Sequence, residues 1–202
     1  KMPFDVCTIP ADLVSFSGHK IYAPKGIGVL FVRERKKRIK LIPLIEGGGQ
    51  ERGLRAGTEN VPGIVGLGCA CEIILQNLVR ESARIGEIRD IFEKRLLDAN
   101  IGAAVNGNRT SRLPNTSNMS FAGFSAQKLL DLCVDIAASA GSACTSGGDD
   151  PNYALKACGY GEETAMRAIR FSFGRFSTVQ HAVDASNLII SACEAAHVND
   201  LR

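Results

Sequence analysis

Apolar and polar positions along the first third of the chain fall into two short runs. Asp12 to Gly18 reads as a strand running into a glycine, and Ile27 to Arg33 (IGVLFVR) as a second strand. Nothing before them could complete a sheet, so the sequence reads as opening inside a domain. A glycine-rich, charged stretch follows from Gly47 to Thr58 (GGGQERGLRAGT). It carries Glu51, Arg52 and Arg55 and reads as a functional loop, not a linker. Val61 to Asn100 then holds a helical pattern. Its first half, IVGLGCACEIIL, is apolar on most sides. Its second, RESARIGEIRDIFEKRLLDA, is amphipathic with Ile85, Ile88, Phe92 and Leu96 at helical spacing. A helix passing from a buried to a half-exposed setting bridges two domains, which places a boundary between residues 1–78 and 79–202.

The remainder alternates. Asn118 to Phe121 predicts a strand, Ser125 to Leu132 a helix capped by Ser125, and Ile136 to Ser139 another strand. A glycine-serine stretch surrounds Cys144. Pro151 to Cys158 and Glu162 to Arg167 predict helices, Ala168 to Phe173 a strand, and Thr178 to His197 a closing helix. The result is an α+β layer, without internal repeats or low-complexity tracts.

Composition narrows the function classes. Across 202 residues, 45% are hydrophobic and 22% charged, which fits a globular protein. A formal charge of +3 is too small to argue for nucleic acid. Arg33, Arg35, Lys36, Lys37, Arg38 and Lys40 cluster, but a short run broken by Glu34 reads as a solvated connection. No stretch of about 18 uninterrupted apolar residues indicates a membrane span. Seven cysteines lack the paired spacing of a disulfide framework or zinc site, so reduced thiols in a soluble, intracellular, reducing compartment are expected. Cys69 and Cys71, two apart in an apolar helix, read as small core residues because they point to different faces.

Three places carry chemistry. In SFSGHK, Lys20 lies just past a strand end behind Ser17, Gly18 and His19. There, amides and a hydroxyl can hold a phosphate while the amine reaches an aldehyde; an ordinary surface lysine in a turn is the alternative. In AGSACTS, small residues surround Cys144, and Gly147 to Asp150 extend that flexibility. The thiol reads as exposed and mobile, unlike Cys133 in LLDLCV. In IRFSFGRFST, Arg175 follows a strand and a glycine with Ser177 and Thr178 opening the next helix. It is placed to clamp a carboxylate with two parallel hydrogen bonds, or is a surface arginine. Arg170, within the strand pattern, could be a buried partner for a carboxylate.

The segments SFSGHKIYAPKGIGVLFVR, GGGQERGLRAGTEN, RLPNTSNMSF, GSACTS and IRFSFGRFST, in that order, resemble the cysteine desulfurases of the NifS and IscS type within the class V aminotransferases. The resemblance implies the α/β fold type I of pyridoxal-phosphate-dependent transferases. Residues 1–78 would be the remainder of the large, mostly parallel-sheet domain with the start of the connecting helix, and 79–202 the small α+β domain. Lys20 would hold pyridoxal 5'-phosphate covalently, with Ser17 and His19 on its phosphate and Thr58 reaching the phosphate in the opposite subunit of a homodimer. Gly47 to Gly49, Arg52 and Arg55 would shape that interface. Cys144 would form the persulfide on a long mobile loop, and Arg175 would clamp the carboxylate of L-cysteine. The sulfur would pass to an acceptor such as an iron-sulfur scaffold protein.

One departure from the family pattern is large. About half of a family member precedes the lysine and supplies the ring-stacking histidine, the aspartate on the pyridine nitrogen, a glutamine and further phosphate ligands. Here the only histidines are His19, His181 and His197. The resemblance therefore implies a missing N-terminal half or a complementary chain. Two rivals fit the same residues: a selenocysteine lyase, which has the same lysine and a GGGQER stretch, and a non-catalytic truncated module kept for binding or dimerisation. The serine and threonine after Cys144 lean towards the desulfurase, and an intact Lys20, Cys144 and Arg175 towards an enzyme.

Overall fold

The structure, a computed structural model, describes residues 1–34, 39–140 and 153–200. They form two compact units, one of residues Pro3–Leu78 and one of Val79–Arg202 together with Lys1–Met2.

In the first unit, β1 (Leu13–Ser17) and β2 (Gly28–Val32) make an antiparallel hairpin with Leu13 opposite Val32 and Ser17 opposite Gly28. The link between them is a 3-10 turn, Gly18–Ile21. Arg33 ties down the residues before β1: Nε donates to the Ala11 carbonyl at 2.8 Å, and Nη2 to those of Ile9, at 2.8 Å, and Val6. Half-buried, it is a structural clamp and not part of a solvated basic run. Leu13, Phe16, Val29 and Leu30 of the hairpin are exposed in this chain.

Helix α1 (Val61–Asp98) begins where Asn60 Oδ1 accepts from the Gly63 amide at 3.1 Å, with Pro62 in its first turn, where a missing N–H costs nothing. It ends before Asn100, whose left-handed φ of 53° breaks the helical path. Leu67 and Ala70 on its first half pack against Ala23, Ile21 and Ile27. The opposite flank of that half is open: Ile64, Val65, Ile73 and Leu75 are exposed, and so are Cys69 and Cys71. This corrects their reading as core residues. The apolar surface of the helix is there, but among the described residues nothing lies over that flank. By length and composition α1 could also cross a membrane, a property that counting uninterrupted apolar residues passes over because Glu72 breaks the run.

The second unit is a three-stranded antiparallel sheet in the order β3 (Ala103–Val105), β4 (Thr116–Phe121), β5 (Ala168–Ser172). Met119 lies opposite both Val105 and Ile169. Alternation puts Ser117, Met119 and Phe121 on the buried face. Ile88, Phe92 and Leu96 from α1 and Ala182, Ile189 and Cys193 from α5 (Val179–Asp200) complete the core. Phe92 stands at its centre, 4.8 Å from the Phe171 ring and 5.5 Å from Phe173. The shorter helices are α2 (Ala126–Leu132), capped by Ser125 Oγ on the Lys128 amide at 3.2 Å, α3 (Tyr153–Ala157) and α4 (Glu162–Met166).

Two elements differ from expectation. β3 has no strand signal because three residues, two of them alanine, are too short a pattern to register. Ile136 to Ser139 is not a strand: only Ser139 bridges to Arg170, since the chain turns after Cys133 and meets β5 at a single residue.

Candidate active site

β1 runs directly into the turn that carries Lys20. The Gly18 amide donates to the Ile27 carbonyl at 2.8 Å, and the Ala23 amide to the Gly18 carbonyl at 3.1 Å, closing the turn onto the start of β2. Gly18 is buried, and a Cβ there would sit 2.9 Å from Ile27 Cγ2 and 3.0 Å from the Ile27 carbonyl oxygen, so no side chain fits. Tyr22 ends the turn in the left-handed region at φ 69°. Gly66 of α1 has the complementary role: a Cβ on it would lie 2.9 Å from Pro24, so its bareness lets the segment after Lys20 approach the helix. Ser17, half-buried, makes no capping hydrogen bond to the turn, and His19 and Lys20 are exposed beside it. A hydroxyl, an imidazole and a primary amine thus share one rigid turn.

The glycine-rich loop is tied to itself. Gln50–Gly53 forms a 3-10 turn with Glu51 and Arg52 at positive φ, 49° and 59°. Gln50 Oε1 accepts from the Gly57 amide at 3.1 Å, and Arg55 Nη1 donates to the carbonyls of Gly57 and Thr58, both at 3.0 Å. Thr58 is exposed. Arg55 therefore shapes the loop that presents Thr58.

In the second unit Arg175 lies just past β5, after Gly174. Its side chain is 19% exposed and grips Glu81, Nε to Oε1 at 2.7 Å and Nη2 to Oε2 at 3.1 Å. Arg84, one helical turn beyond Glu81, donates Nη2 to the Arg175 carbonyl at 2.6 Å and Nη1 to that of Ser177 at 2.7 Å. Ser177 Oγ accepts from the Gly174 amide at 2.9 Å, and Thr178 Oγ1 from the His181 amide at 3.1 Å, which caps α5. Glu81 and Arg84 were not singled out from sequence. Their signal is the Glu81 and Arg84 pair three apart in a helix whose apolar stripe drew the reading. Arg170 is half-buried, and its backbone bonds to Ser139 in both directions, at 2.8 and 3.2 Å.

Cys144 lies outside the described residues. The described ends flanking it are fixed: Ser139 is bridged to Arg170, and Leu155 of α3 packs with Ala165 and Ala168. Of the described thiols, Cys133 and Cys193 are buried. Burial raises the Cys133 pKa and, with Cys133 and Glu194 nearby, pushes that of Cys193 up to about 11. Neither is a competent thiolate near neutrality. Lys20, Ser17, His19 and Thr58 belong to the first unit and Arg175 to the second.

Residues 1–185 match the class V aminotransferase family, and the chain belongs to it. Its fold is the α/β fold type I of pyridoxal-phosphate-dependent transferases, and pyridoxal phosphate is the general cofactor of the family. Among relatives, the chain is 46% identical to a cysteine desulfurase IscS of Pseudomonas putida (strain GB-1), over all of this chain and 48% of that protein. It is likewise 46% identical to the cysteine desulfurase IscS of Rickettsia africae (strain ESF-5), over 95% of this chain and 46% of that one. A solved NifS-like protein superposes with a TM-score of 0.82 at 33% identity, covering 95% of this chain and 48% of its own. A NifS-like protein from Rickettsia africae ESF-5 does so at 0.78 and 29%, covering 97% and 50%. The chain spans about half the length of the curated relatives it matches.

Proposed function

We propose that this chain is the half of a pyridoxal-phosphate-dependent cysteine desulfurase that carries the cofactor lysine and the sulfur-accepting cysteine. The observation that supports it most is the turn after β1, which gathers Ser17, His19 and Lys20 on one rigid support. That donor set fits a phosphate-bearing aldehyde: Lys20 would hold it covalently, Ser17 and His19 would bond its phosphate, and Thr58 would reach the phosphate of the opposite subunit. When bound, the cofactor supplies an electron sink for charge at the substrate α-carbon. Residues 1–78 would belong to the large cofactor domain and 79–202 to the small domain. The open flank of α1 and the exposed hairpin would be covered by the rest of the enzyme and by a second subunit.

In this reading Arg175 receives the α-carboxylate of L-cysteine and Lys20 moves the α-proton. The Cys144 thiolate attacks the substrate sulfur: a sulfur–sulfur bond forms and the carbon–sulfur bond breaks. The electron pair stays on the three-carbon fragment, which takes a proton and leaves as L-alanine. The persulfide on Cys144 then passes to an acceptor protein such as an iron-sulfur scaffold, in a soluble intracellular setting that keeps the thiols reduced.

The test uses the full-length enzyme containing this half. Cys144→Ser should keep the cofactor colour and lose persulfide formation from labelled cysteine, while Lys20→Ala should lose the covalently bound, reducible cofactor. Labelled sulfur remaining on Cys144→Ser, or a reducible adduct remaining in Lys20→Ala, would refute the assignments. Turnover of selenocysteine with none of cysteine would make the protein a selenocysteine lyase instead.

A further inference from the structure

We propose that Glu81 is a positioning residue for substrate recognition, holding the Arg175 guanidinium in the orientation that receives the α-carboxylate. The proposal rests on the role given to Arg175 above. A guanidinium is planar and offers a carboxylate two edges, the side edge of Nε with Nη2 and the end edge of Nη1 with Nη2. Glu81 takes the side edge with both oxygens, at 2.7 and 3.1 Å, which fixes the plane and rotation of the group. The end edge is a separate edge of the same plane, so the bonds to Glu81 do not themselves preclude a second carboxylate there.

The support behind Glu81 is rigid. Along α1 it is followed by Ile85, Ile88 and Phe92, all buried. Arg84 on the same helix holds the carbonyls of Arg175 and Ser177, so one helix fixes both the backbone and the side chain of Arg175. Displacement of Glu81 by substrate is the less favourable arrangement. With its side chain 21% exposed, the freed carboxylate would be left half-buried and stripped of its two-bond partner, with the weaker pull of the Lys1 α-ammonium nearby. The two arrangements predict opposite signs. Positioning makes loss of Glu81 weaken substrate binding, whereas competition makes it tighten.

The experiment uses the full-length holoenzyme. Glu81→Ala should raise KM for cysteine about tenfold, the equivalent of one charge-assisted hydrogen bond, with kcat within about threefold. Glu81→Gln, which keeps the shape and one acceptor, should raise it less and guards against loss of fold. Titrated through the cofactor absorbance, L-alanine should bind about tenfold more weakly to Glu81→Ala, while cysteamine, which lacks the carboxylate, binds unchanged. Adding Glu81→Ala to Arg175→Ala should change alanine binding no further, because the two act as a unit. A lowered KM in both Glu81 variants, or equal weakening of cysteamine and alanine, would overturn the proposal. If Arg175→Ala weakens alanine binding and Glu81→Ala does not, the role of Glu81 alone falls. If Arg175→Ala leaves alanine binding unaltered, the carboxylate-clamp reading falls with it.

Discussion

Glu93 offers the sharpest test of how the second unit is held together. Its carboxylate is 2% exposed on α1 and accepts from Arg112 through both oxygens, at 2.6 and 2.7 Å. The Arg112 side chain is itself only 14% exposed, and its buried Nε finds no acceptor among the described residues. Asp90, at 3.6 Å and largely exposed, is a weak substitute. Glu93→Ala would therefore strand a buried guanidinium, a change that costs about 3–5 kcal/mol when a buried pair loses one partner. The residual attraction of Asp90 places the effect near the lower end. A surface ion pair would give about 0–1 kcal/mol.

The same pair fixes a pH dependence. Burial pushes the Glu93 pKa up, but the hydrogen bonds and charge of Arg112, with smaller help from Ser117 and Arg89, together outweigh it, so the folded-state value lies below the ordinary 4.5. A depressed carboxylate contributes stability that is present above its unfolded pKa and is lost as pH falls from there through the folded value. Hydrogen exchange of the β4 and β5 amides reports this unit without requiring the whole enzyme to unfold in one step. Protection should fall below pH 4.5 in the parent and fall less steeply in Glu93→Gln, which does not titrate. A Glu93→Ala cost under about 1 kcal/mol, or an identical acid limb in Glu93→Gln, would show that the pair is effectively solvated.

Phe92→Ala should destabilise the second unit by about 3–5 kcal/mol, read by chemical denaturation, because it empties the contact with Phe171 and Phe173 at the centre of the core. Ser125→Ala should cost about 1 kcal/mol through loss of the α2 cap. At pH 8 iodoacetamide should modify Cys7, Cys69, Cys71 and Cys158 in this chain well before Cys193, whose thiol stays protonated; equal rates checked by mass spectrometry would contradict its burial. Expressed alone, the chain should self-associate through the exposed flank of α1, with β4 and β5 amides protected from exchange and β1 and β2 amides open.

What could be read from the sequence divides along a physical line. Elements whose partners are close in sequence were legible. The two strands flanking SFSGHK pair with each other, α1 announces itself through Ile85, Ile88, Phe92 and Leu96, and Ser125 caps the helix it precedes. The glycine before His19 could be read as a turn, though not that the Ile27 carbonyl would forbid any Cβ there. What the sequence hid depends on residues far apart. The carboxylate on Arg175 comes from Glu81 across 94 positions, and the bonds to the Arg175 and Ser177 carbonyls come from Arg84 across 91 and 93. The same holds for apolar surfaces that nothing among the described residues covers. Cys69 and Cys71 have the pattern of a buried helix and are nevertheless exposed, because apolar spacing states which face seeks a partner and not whether this chain supplies one. The chemistry follows the same rule. The lysine turn is built locally, from a strand end and a glycine, so its shape depends mainly on residues close in sequence. The Glu81–Arg175 pair is built from a helix and a loop brought together by a core, so it needs the second unit folded around Phe92 before Glu81 can hold Arg175 at all.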